Sequence, residues 1–170
     1  RVLDGAVAVF DAVAGVEPQS ETVWNQANGY KVPRLGFVNK MDRIGADFRG
    51  TIEMMVERFG DHCVAAQLPI GAEGDFEGVI DLVREQAMVW PDPNDPRRCE
   101  TGPIPEHMAD EAAEAREALL ERVADLDDEF ALSYLEDSES LEVDEIIGAI
   151  RKAVIAGTLV PVLCGTALRN

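Results

Sequence analysis

Asn39-Lys40-Met41-Asp42 is the stretch of this chain whose residue types and spacing suggest chemistry. It follows the apolar run Leu35 to Val38, which reads as a buried strand, so it falls at a strand's carboxyl end. Open parallel sheets bind ligands outside that end. Asp42 offers two acceptor oxygens side by side, and guanine offers two donors side by side, at N1 and the exocyclic amine. A carboxylate can take both, with charge strengthening each bond. Adenine has no such amine and carries an acceptor at N1, so it would leave the carboxylate facing a lone pair. Sites built on hydrogen bonding reject such a mismatch by ~10⁴-fold. Lys40 can lay its aliphatic stem along a base plane, Asn39 can reach the base edge or tie loops together, and Met41 serves as a spacer. Gly165-Thr166-Ala167 also follows an apolar run and would bring backbone N–H groups to the same edge, where a donor can meet guanine O6. The bland alternative stays open: Asn39 and Asp42 cap the helix that starts near Asp47, and Gly165-Thr166-Ala167 is an ordinary turn.

The elements that must hold these residues can be read from periodicity. Gly5 to Val13 is a strand candidate whose unbroken apolar run, Ala6 to Phe10, is of the kind covered on both faces, and Ala14 to Gln19 breaks it. Ser20 is placed to cap a helix carrying Val23 and Ala27, which Asn28-Gly29 stops. Asp47 caps a second helix, with Phe48, Ile52, Met55, Val56 and Phe59 at spacings of three and four, and Gly60 ends it. Strand, helix, strand, helix with short links predicts parallel strands with right-handed crossovers. Val64 to Ile70 reads as one strand with Pro69 favouring an edge. Gly71 to Asp75 is a turn, and Val79 to Val83 with Ala87 to Trp90 suggest a hairpin or a turn feeding a strand. The five prolines from Pro91 to Pro105 mark a loop. One long helix then carries Met108, Ala112, Ala115, Leu119, Val123, Leu126 and Phe130, interrupted near Asp127-Asp128. A last helix has Val143, Ile146, Ile147, Ile150 and Val154 on one face and Gly157 as its cap. Leu159 to Leu163 is a final buried strand. The fold class is α/β: a parallel sheet with helices, interrupted by an inserted α+β subdomain.

Composition narrows the function classes. The 170 residues carry a net charge of −18, which repels phosphate backbones, so this acidic chain is expected to be a poor direct binder of nucleic acid. No apolar run is long enough to cross a bilayer. Three cysteines, Cys63, Cys99 and Cys164, form no CxxC pair, which argues against a zinc site or disulfide scaffold and for a reducing cytosol. His62 and His107 lack carboxylate partners at a useful spacing and read as surface or edge residues, while Trp24 and Trp90 read as core. No catalytic residue and no metal ligand set stands out. Between Glu106 and Glu145 there are 16 acidic residues against two arginines, Arg116 and Arg122. That stretch is either a solvated helix face or a surface that steers a basic partner. The absence of an initial Met and the abrupt apolar runs near both ends suggest an excised piece; a small protein with abrupt ends is the alternative.

Several of these segments also resemble a known family. Asp4 to Trp24, Phe37-Val38-Asn39-Lys40-Met41-Asp42-Arg43, Gln67-Leu68-Pro69-Ile70-Gly71, Gly78-Val79-Ile80-Asp81-Leu82 and Val160 to Ala167 are similar to the elongation factor G family of translational GTPases. The resemblance covers essentially the whole chain. It implies a partial P-loop-GTPase-type core over 1–60, an inserted acidic subdomain over 61–156 and a return strand with a guanine loop over 157–170. It further implies a cytoplasmic protein that binds GTP or GDP, works on the ribosome in tRNA–mRNA translocation, and touches the ribosomal stalk protein through the insert. Asn39, Lys40, Met41 and Asp42 would then form the guanine motif, and Gly165, Thr166, Ala167 and Leu168 the second guanine loop. Thr166 stands where Ser is common, Asn25 where Arg is usual and Glu142 where a capping Thr is usual. No Gly-x-x-x-x-Gly-Lys-[Ser/Thr] loop occurs in the chain, so the phosphate-handling half and its magnesium ligand are expected only in a full-length protein. The chain alone is expected to turn over no GTP. A ribosome-recycling or ribosome-protection paralogue, or a non-catalytic acidic interaction module, remains an alternative.

Overall fold

The computed structural model describes residues 3–92, 95 and 98–167. Its first half alternates strand and helix: β1 (Ala6–Asp11), α1 (Pro18–Gly29), β2 (Arg34–Asn39), α2 (Phe48–Phe59) and β3 (Cys63–Ala65). An antiparallel meander follows, β4 (Gln67–Ile70), β5 (Gly78–Asp81), β6 (Gln86–Val89) and β7 (Glu100–Gly102). Three helices, α3 (Ala109–Ala124), α4 (Asp128–Glu136) and α5 (Val143–Ala156), lead to β8 (Val160–Cys164).

β1, β2, β8 and β3 pair in that order, all parallel, so the last strand inserts between two earlier ones. The register matters for function. Asp11 pairs with Asn39 and Val38 with Cys164, so the carboxyl ends of β1, β2 and β8 finish level. Val38, Met55 and Val162 are fully buried at this sheet, and burying each such side chain stabilises by roughly 1.5–3 kcal/mol. The expected α/β class with parallel and antiparallel parts is found.

Several local expectations differ from what forms. β1 is an edge strand with Val7 and Val9 exposed, whereas its apolar run predicted cover on both faces. An apolar run records what a strand tolerates and does not count its neighbours. α1 begins at Pro18, with Glu17 at the cap, instead of being capped by Ser20. Proline suits the first helical position, where its fixed φ is already helical and no N–H is needed. Val64 to Ile70 is two strands in two sheets, separated by Ala66. The Ala66 N–H donates to Val162 O at 2.9 Å, and its carbonyl accepts from the Leu82 N–H at 3.2 Å. Cys63–Ala65, expected inside the insert, pairs with β8 in the parallel sheet. Pro69 does sit on an edge strand, β4. The proline-rich loop contains β7, whose residues are all exposed and so leave no hydrophobic pattern. The long helix breaks in two because Asp127 caps α4, accepting from the Glu129 and Phe130 N–H groups.

α5 ends as its sequence suggests: Gly157 takes φ 74° and returns its N–H to Ala153 O and Val154 O. Leu119, Val123, Ile146 and Leu159 form the fully buried seam joining α3, α5 and β8. Among the described residues no helix is long and apolar enough to cross a membrane.

Candidate functional site at the carboxyl edge of the parallel sheet

The level strand ends bring three loops together. After β2, Lys40 turns into the left-handed region at φ 67°, which swings the chain across the sheet edge. Met41 is buried and anchors the turn: its N–H donates to Gly165 O at 3.2 Å. Asp42 follows, half-buried, and its Oδ1 accepts from the Thr166 hydroxyl at 2.8 Å. Thr166 itself is 1% exposed, so this bond is shielded from water. Asn39 Oδ1 accepts from the Ala167 N–H at 2.9 Å. The Gly165 N–H donates to Val38 O at 3.0 Å. The two motifs that the sequence separates by more than a hundred residues are thus one hydrogen-bonded unit. Asn39, Lys40, Met41, Asp42, Gly165, Thr166 and Ala167 all lie in it; Leu168 lies outside the described residues.

This geometry corrects one expectation. The N–H groups of Gly165 and Ala167, expected to be offered to a ligand, are engaged by Val38 O and Asn39 Oδ1. Gly165 closes the sheet edge, since its partner is the backbone of β2. Ala167 is exposed, and a base oxygen there would replace the Asn39 amide oxygen and release that side chain to turn. Nor do Asn39 and Asp42 cap α2. Asp47 does so, its Oδ1 accepting from the Gly50 N–H at 2.9 Å.

Two residues of the site carried no signal in the motif reading. Asp11, at the end of β1, accepts from Lys40 Nζ at 2.5 Å through Oδ2 and from the Val13 N–H at 2.9 Å through Oδ1. The Lys40 bond, then the Val13 N–H, hold its carboxyl below the usual carboxylate range. The parallel register would have found it, because Asp11 pairs with Asn39. Glu73, from the turn after β4, also reaches the loop: its N–H donates to Met41 O at 2.8 Å, and its Oε1 accepts from the Gly45 N–H at 2.7 Å.

The remaining candidates stand apart. Burial pushes the His62 imidazole down, and His62 packs beside Trp24. Trp24 is core, stacked on Phe59 with centroids 4.1 Å apart and covered by the Arg34 guanidinium at 4.3 Å. Trp90 is half-buried and packs against the core. Cys63 and Cys164 are buried, and burial pushes the Cys63 thiol up to about 12. Among the described residues no group of three or more His, Cys, Asp or Glu could hold a metal ion.

What this site can do is grip a planar ring with a fixed donor–acceptor edge: a tethered carboxylate, a carboxamide and an aliphatic stem at one sheet edge. Comparisons with known proteins give the family. The profile of the elongation factor Tu GTP-binding domain matches residues 1–170. Elongation factor G of Fervidobacterium nodosum is 52% identical over 170 residues, which is 100% of this chain and 24% of that protein. A crystal structure of a Thermus thermophilus protein superposes with a TM-score of 0.83 at 25% identity, covering 98% of this chain and 24% of that one. The chain therefore spans about a quarter of the length of the relatives it matches. By this match it belongs to the family of the elongation factor Tu GTP-binding domain, and within that family it is similar to elongation factor G.

Proposed function

We propose that this chain supplies the guanine-reading part of a translation factor of the elongation factor G type, one that hydrolyses GTP on the ribosome to promote movement of tRNA and mRNA. The observation that carries the reading is the buried Thr166 hydroxyl holding Asp42 Oδ1 at the level ends of β2 and β8. A carboxylate fixed in this way meets the N1 and exocyclic N–H donors of guanine without first losing rotamer freedom. Lys40 lays its stem on the base plane while Asp11 holds its ammonium. Asn39 serves the base edge once Ala167 turns to O6. Leu168 would complete the second loop, and Met41 and Gly165 keep the two loops in register. These residues fit a guanine base.

The division of labour proposed for the rest of the chain follows. The parallel strands with α1 and α2 form the nucleotide-binding core, and the acidic stretch over 61–156, apart from β3 in the parallel sheet, forms an insert. Glu111, Glu114, Glu117 and Glu121 are exposed along α3, which supports a basic partner such as the ribosomal stalk protein. The test uses the intact protein containing this chain. GDP should displace a fluorescent guanine nucleotide far better than IDP, which lacks the exocyclic amine, and ADP should not compete. Equal competition by ADP would end the reading. Charge reversal at Glu114, Glu117 and Glu121 should lower ribosome-stimulated GTP turnover without changing nucleotide affinity. Unchanged turnover would leave the helix face as mere solvation.

A further inference from the structure

We propose that Glu73 is a positioning residue for the base-reading loop, so that the turn between β4 and β5 is a clamp built from the insert onto the nucleotide site. The inference rests on Asp42 reading guanine. Glu73 grips the loop on both sides of Asp42. Its backbone N–H donates to the Met41 carbonyl, one residue before, at 2.8 Å. Its Oε1 accepts from the Gly45 N–H, three residues after, at 2.7 Å. One side chain and its own backbone thus span the loop as a staple.

The turn's conformation supports a dedicated role. Glu73 holds φ 56°, a left-handed region that non-glycine L-residues keep only where the surroundings over-determine it. Gly71 makes the turn possible. It sits at φ 74°, and a Cβ there would lie 2.0 Å from the Asp75 carbonyl oxygen. Gly45 is also left-handed, at φ 86°, and this orientation presents its N–H to the carboxylate. Thr166 fixes one Asp42 oxygen from the loop after β8, while Glu73 fixes the backbone on which Asp42 rides. The two supports come from different parts of the chain, so they can be removed one at a time.

The experiment compares Glu73→Ala, Glu73→Asp, Glu73→Gln and Asp42→Ala in the intact protein, reading GDP and IDP affinity and GDP dissociation by stopped flow. The readout is the ratio of GDP to IDP affinity, because only GDP carries the amine that Asp42 must meet. Glu73→Ala should weaken GDP about fivefold, through faster dissociation, and IDP less, so the ratio narrows. Glu73→Asp keeps the charge but falls one methylene short of Gly45, and should behave as Glu73→Ala does. Glu73→Gln keeps a carbonyl acceptor and should restore most of the ratio. A purely structural Glu73 would lower the melting temperature and weaken both nucleotides equally, which overturns the proposal. If Asp42→Ala collapses the ratio and Glu73→Asp does not change it, only the role of Glu73 fails. If Asp42→Ala itself leaves the ratio intact, the guanine reading fails and takes this inference with it.

Discussion

Replacing Asp42 with asparagine changes one acceptor into a donor and leaves the shape alone. Thr166 Oγ1 lies 2.8 Å from Asp42 Oδ1 inside the protein, so the hydroxyl would select the rotamer in which the new carbonyl oxygen faces it. The new amide nitrogen would then face the base. Guanine would lose one charge-assisted hydrogen bond and oppose its amine to an N–H donor. Hydrogen bonds to charged groups contribute about 1.5–3 kcal/mol each, so the two effects together cost about 3–6 kcal/mol. That corresponds to a loss of ~10²- to 10⁴-fold in GDP affinity. Xanthine carries a carbonyl where guanine carries the amine, and should gain what guanine loses. The assay is competition by GDP and XDP against a fluorescent nucleotide in the intact protein, with a thermal melt to confirm folding. A variant that melts normally and binds GDP within threefold of the parent, with no gain for XDP, would refute the argument that this carboxylate reads the base.

Other outcomes follow from the same geometry. Asp11 is held below its ordinary value by Lys40 and by the Val13 N–H, so its contribution to stability is present above about pH 4 and fades as pH falls through the lowered value. Asp11→Asn should therefore melt lower than the parent at pH 7, and the difference should shrink below pH 4; a gap independent of pH would contradict the ion pair. Leu119→Ala empties a fully buried position on α3 and should cost about 3 kcal/mol, lowering the melting midpoint by roughly 6–12 °C. In the native protein a thiol reagent should modify Cys99 quickly and leave Cys63 and Cys164 untouched until denaturant is added. Rapid modification of all three would show that the sheet is open in solution.

Much of the site was legible because its residues follow strands whose apolar runs are unambiguous. Asn39 to Asp42 and Gly165 to Ala167 each sit just beyond such a run, and parallel pairing makes their meeting a matter of register. Asp11 needed that register as well as the run. Glu73 could not have been found, because its partners lie in another sheet system and its turn has no periodicity. The engagement of the Ala167 N–H by Asn39 was equally invisible, since both groups could as well have faced solvent. In the fold, periodicity placed α2 and α5 well but missed β7, which is polar on both faces, and joined β3 to β4 across Ala66. A run of apolar residues does not reveal a change of partner when the residue at the change, here Ala66, is itself apolar and buried.

Ala66 has a mechanical consequence. One residue lies between the end of β3 and the start of β4, and both its backbone groups are spoken for, by Val162 and Leu82. Gln67 adds a further rivet, its side-chain oxygen accepting from the Cys164 N–H at 3.3 Å. There is no slack here to absorb a swing. A load applied to the antiparallel sheet passes as torque into β8, whose next residues are Gly165 and Thr166.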